Sequence, residues 1–111
     1  SFYTPYYLTS AASTNSTSVK ASAGTLHLIQ VTNTTATTYY LRLYNTASAP
    51  TCSSATGFVE TLPILGTSPN GRFTIMGESY TTGIGFCLTG GGSSTDNTSA
   101  ATGVYIKLGY R

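Results

Sequence analysis

The segment Val104-Tyr105-Ile106-Lys107-Leu108-Gly109-Tyr110 decides the fold class. Val104, Ile106 and Leu108 fall on one parity and Tyr105, Lys107 and Gly109 on the other. A two-residue period marks a strand with one dry face. Working outward, Tyr40-Leu41-Arg42-Leu43-Tyr44 sets Leu41 and Leu43 on a face opposite Arg42, and Phe73 and Ile75 alternate with Arg72 and Thr74. Leu26-His27-Leu28-Ile29 is apolar on both parities, which predicts a central strand or one covered on both sides.

Short runs of Thr, Tyr, Val and Ile recur between Gly, Pro, Asn and Ser punctuation, and such runs read as strands. The expected strands are Phe2–Thr9, Thr17–Ala21, Thr25–Asn33, Thr38–Asn45, Phe58–Ile64, Arg72–Met76, Ile84–Thr89 and Gly103–Tyr110. Turns are expected at Ala23-Gly24, Asn33-Thr34-Thr35, Pro69-Asn70-Gly71, Thr82-Gly83 and Gly90-Gly91-Gly92. Pro5 suits the first run to an edge or an extended arm, since proline cannot donate to a ladder. The expectation is an all-β chain, an antiparallel β-sandwich or jelly-roll-like fold of about eight short strands. Residues 1–16 would form an aromatic N-terminal arm and linker, and residues 17–111 a single sandwich domain. Gly90–Ala101, rich in Gly, Ser and Thr, reads as a mobile loop at one end of the sandwich.

Composition narrows the function. The chain holds 14 serines, 22 threonines, 12 glycines and 9 tyrosines, with only 7% of positions charged and a net charge of +2. A typical domain is about a quarter charged. An apolar content of 40% with so little net charge argues against disorder. No run approaches the ~18 apolar residues of a membrane span, and five scattered cations make no basic patch. Neither a membrane nor a nucleic acid is an expected partner. The opening at Ser1 fits removal of an initiator Met or cleavage of a leader.

Catalytic residue types are sparse. Glu60, Glu78 and Asp96 are the only carboxylates, and Glu60, flanked by Val59 and Leu62, is expected to face solvent. A Ser–His–Asp triad would have to join His27 and Asp96, but no Gly-x-Ser-x-Gly elbow is present. His27 is expected to be a packed strand residue. Two cysteines and one histidine are too few for a zinc site, and the triple glycine lacks the Lys-Ser/Thr of a phosphate cradle. No catalytic, metal or cofactor site is expected, and the chain reads as a non-enzyme. Cys52 and Cys87 are either bridged or two buried thiols; a bridge is the expectation.

Asn15, Asn33 and Asn97 head Asn-x-Ser/Thr sequons, weak support for glycosylation in a chain so rich in hydroxyls. Phe2, Tyr3, Tyr6 and Tyr7 crowd the first seven residues. Burying each removes about 150–250 Å² of surface, so they are the candidate contacts with another subunit.

The order of Val19-Lys20-Ala21-Ser22-Ala23-Gly24-Thr25-Leu26, Val31-Thr32-Asn33-Thr34, Tyr40-Leu41-Arg42-Leu43-Tyr44-Asn45 and Ala49-Pro50-Thr51 resembles small decoration-type structural proteins of the virions of tailed bacteriophages and prophages. Leu62-Pro63-Ile64, Gly71–Met76, Tyr80-Thr81-Thr82-Gly83-Ile84, Leu88-Thr89-Gly90 and Val104–Tyr110 continue the likeness, which spans about residues 19–110. The two cysteines stand where that pattern has small apolar residues, and the aromatic arm is not part of it. The resemblance implies a capsid decoration protein at the virion surface. It would bind the major capsid protein or another virion protein and copies of itself, with a trimer favoured. Two other readings compete. One is a carbohydrate- or receptor-binding module exposing Tyr80, Tyr105 or Tyr40; the other is a secreted filament subunit donating Phe2–Thr9 as a strand.

Overall fold

A computed structural model describes residues 3–111, apart from the side chains of residues 68–70 and 72–76. Phe2 therefore lies outside the described residues, as does the alternation of Phe73 and Ile75. The strands are β1 (Thr4–Thr9), β2 (Thr17–Lys20), β3 (Gly24–Asn33), β4 (Tyr39–Asn45), β5 (Phe58–Ile64), β6 (Ser68–Tyr80), β7 (Ile84–Thr89) and β8 (Val104–Tyr110). No helix occurs among the described residues, and none there is long and apolar enough to cross a membrane.

Two four-stranded antiparallel sheets face each other, ordered β1-β8-β3-β6 and β2-β7-β4-β5. This is the strand order of a jelly roll. The alternation in β8 explains its place. Val104, Ile106 and Leu108 are buried and Tyr105 is exposed, so the strand presents one face to the core and one to solvent. Leu41, Leu43, Phe86 and Leu88 answer from the other sheet. Each such side chain contributes about 1.5–3 kcal/mol when fully buried.

Three local features depart from the simple strand pattern. His27 is the extra residue where β3 slips by one against β8, between the pairs Leu26–Tyr110 and Leu28–Gly109. The bulge lets Leu26 and Ile29 both reach the core while Leu28 turns to the outer face. That is why the segment is apolar on both parities. Pro69-Asn70-Gly71, expected as a turn, lies inside β6. The pairing there jumps from Val31–Arg72 to Asn33–Ser68, and Gly71 takes a φ of 77°, so these residues are absorbed as a bulge. Residues 4–9, expected as a strand suited to an edge or to an extended arm, run along β8 as the edge strand, paired residue by residue from Thr4–Tyr110 to Thr9–Tyr105. They fill a place in their own sheet.

Candidate functional site

The two sheets turn very different outer faces to solvent. On β4, Arg42 and Tyr44 point away from the core, as their parity requires, yet both are fully buried. Residues 46–57 and 90–99 fold back over them. Cys87 is the register partner of Arg42, and its disulfide to Cys52, with a Cα separation of 6.1 Å, draws the first of these loops down. Tyr44 and Phe58 pack edge to face at 5.8 Å beside the bridge.

The Arg42 guanidinium holds the loops from beneath. Nη2 donates to the carbonyls of Cys52 and Ser94 and to the Tyr44 hydroxyl, and Nη1 donates to the Asp96 carbonyl and the Thr89 hydroxyl. A planar fork with fixed donors can satisfy several carbonyls at once, which a lysine could not. Asp96 closes the second loop by accepting from the Thr98 hydroxyl and amide and from the Gly91 amide. Those hydrogen bonds, Thr98 first, together with the nearby Arg42 charge, hold its carboxyl below the usual range. Gly90–Ala101 is thus tied down by side chains, not the mobile loop its composition suggests.

Glu60 is not the solvated residue its neighbours suggest. It pairs with Leu43 in register, so it shares the inward parity of Leu62 and Ile64. Its counterpart is Glu78 on β6, the edge strand of the opposite sheet, whose carboxyl acts on the Glu60 proton. Burial, then the bond to Glu78, then the Glu78 charge push Glu60 up to about 7. The buried Tyr80 hydroxyl donates to Glu78 Oε1 at 2.6 Å, and its own titration is raised by burial and by the same carboxylate.

Among the described residues no loop covers the outer face of the first sheet in this way. The register sets out two rows across β1, β8 and β3: Thr9, Tyr105 and Thr32, then Tyr7, Lys107 and Gln30. These six line a shallow groove of about 260 Å³. Tyr7 is 67% exposed and Tyr105 48%. Lys107 Nζ lies 5.8 Å from the centre of the Tyr7 ring. At the near end, the Tyr3 ring crosses Gly109, where a Cβ would lie 2.9 Å from it, and stacks on His27 at 5.9 Å.

The three described N-terminal aromatics thus divide by face. Tyr6 packs inward, edge to face with Phe86 at 6.0 Å, while Tyr3 and Tyr7 stay exposed on the outer face. Of the tyrosines weighed as a sugar platform, Tyr80 is buried, Tyr40 is half-buried against Gly92, and Tyr105 is exposed. His27 and Asp96 lie on opposite outer faces and do not meet. The Asn33 amide is buried, donates to the Thr37 and Ile64 carbonyls and accepts from Thr35, so the fold has no room for a glycan there. Asn15 is tied to Ala11 and Ser13; Asn97 is exposed. Thr9, Gln30, Thr32 and Lys107 were not singled out from sequence, because only the strand order brings them to one face. No known protein family, curated protein or solved structure matches the chain.

Proposed function

We propose that the chain is a non-enzymatic structural subunit of a virus particle, a capsid decoration protein that binds the capsid lattice and copies of itself at the virion surface. The observation that carries this reading is the unequal finish of the sandwich. One outer face is sealed by loops and a disulfide, and no described loop covers the opposite one, where Tyr3 and Tyr7 stand exposed at the edge strand β1. An edge strand with exposed tyrosines is a surface suited to a partner. Near-absence of charge leaves contact energy to shape and aromatic area, which fits repeated contacts in a lattice. A disulfide survives outside cells, and jelly rolls recur in capsid proteins, an analogy of fold. β1 pairs within its own chain, which favours this reading over strand donation to a filament.

The test is the mass of the purified chain in solution and its presence on particles from the source that expresses it. Tyr6 and Leu8 pack against the core, so deleting residues 1–8 would damage the sheet; the variant Tyr3→Ser with Tyr7→Ser isolates the contact. The expected result is a trimer found on particles, and a folded monomeric variant that no longer attaches. A wild-type chain that is monomeric and absent from particles overturns the reading.

A further inference from the structure

We propose that the groove on the outer face of β1, β8 and β3 binds an acidic saccharide, a sugar ring that carries a carboxylate. Its size comes first. About 260 Å³ is just below the ~300–1,000 Å³ of drug-sized ligand sites, so it fits a small ring. The lining chemistry comes second. Tyr105 and Tyr7 offer exposed rings on which the apolar C–H face of a sugar can lie. The Gln30 amide and the hydroxyls of Thr9 and Thr32 stand around them, neutral donors and acceptors that match ring hydroxyls.

Charge selects among sugars. Among the described residues Lys107 is the one cation lining the groove, held against the Tyr7 ring and facing no carboxylate. The three acids of the chain lie elsewhere: Glu60 and Glu78 face each other between the sheets, and Asp96 closes the loop over the opposite sheet. An ammonium without a counter-charge in a neutral groove complements a carboxylate on the ligand. One cation is too few to grip a phosphate backbone. The inference does not depend on the particle role, because it concerns the isolated chain.

The experiment is an amide NMR titration of the full chain with sialyllactose and with an oligomer of glucuronic acid. Lactose and the matching glucose oligomer serve as neutral counterparts. The expected result is saturable shifts at Gln30, Thr32, Tyr105 and Lys107 with at least one acidic probe. Its neutral counterpart should bind about tenfold more weakly, the value of one charge-assisted hydrogen bond. Lys107→Gln should erase that difference, and Tyr105→Ala should weaken both members of the pair while leaving distant resonances unmoved. The proposal is overturned if neither acidic probe shifts this face, if acidic and neutral probes bind equally, or if Lys107→Gln changes nothing. Solution mass and particle attachment are separate readouts. A monomer that is absent from particles yet binds the acidic sugar would refute the particle role alone.

Discussion

The outer faces of the two sheets use the same vocabulary, a long cation among tyrosines and threonines, and end in opposite states. On the β2-β7-β4-β5 sheet, Arg42 is fully buried beneath two loops whose carbonyls it binds, and a disulfide pins one of them. On the β1-β8-β3-β6 sheet, Lys107 leans on an exposed Tyr7 ring under open solvent. A cation can be covered only if acceptors come with the cover, since an unpaired buried charge costs far more than the burial returns. The loops at residues 46–57 and 90–99 supply those acceptors to one face, and no described segment does so for the other. One face spends its polar groups on stability and the other leaves them free.

The sharpest way to break the comparison is to remove the cation from the closed face. Arg42→Met keeps much of the volume but strands the carbonyls of Cys52, Ser94 and Asp96. The expected loss is about 3–5 kcal/mol, the scale for stripping one partner from a buried charged contact. Urea unfolding measures it, and hydrogen exchange should quicken first at residues 46–57 and 90–99. A loss under about 1 kcal/mol would mean that the loops hold themselves. Next in size is the bridge. Replacing Cys52 and Cys87 with Ala opens a link across 35 positions, worth about 3–4 kcal/mol in the chain-entropy account. Because Arg42 and the bridge hold the same loop, combining the variants should cost less than their sum.

How much of this was legible from the chain follows the same division. Strand positions were readable because parity is local: β5 and β7 fall where the alternation and punctuation place them, and the other ends match or shift by a residue or two except in β6, which runs four residues further at each end. Arg42 read correctly as opposite Leu41 and Leu43. Its burial did not, since that depends on two loops distant in sequence converging on it. Glu60 held a signal in plain view, its shared parity with Leu62 and Ile64, but the apolar Val59 and the rarity of buried acids argued the other way. The groove was illegible for a topological reason. Thr9, Gln30 and Tyr105 come from three strands far apart in the chain, and no periodicity tells which strands are neighbours.

A smaller effect sharpens the comparison at the sandwich edge, where neither face is involved. Glu60 is pushed up to about 7 in the fold from an ordinary value of 4.5. The folded state therefore holds a proton that the unfolded chain releases near 4.5. Stability should be greatest below that pH and fall as pH rises to about 7. Solvent screening of a half-exposed carboxyl limits the loss to about 1 kcal/mol. Glu60→Gln, which keeps a donor toward Glu78 without the charge, should flatten the slope between pH 4.5 and pH 7. Midpoints of urea unfolding across that range decide it, and an unchanged slope in the variant would place the dependence elsewhere.

The smallest expected effect carries the most meaning for function. Replacing Tyr7 and Tyr105 together with Ser removes both exposed rings of the groove, and with them the contact between Tyr7 and Lys107. An exposed cation–π contact is worth about 0.5–1 kcal/mol, and surface changes away from buried features stay within about 0.5 kcal/mol. The double variant should therefore unfold within about 1 kcal/mol of the parent, several-fold less than Arg42→Met. Equal urea midpoints would mean that the fold does not need these rings, so a partner or ligand is left as the reason for two tyrosines standing in water. A loss near that of Arg42→Met would instead make the open face as structural as the closed one, and the contrast between the two would fail.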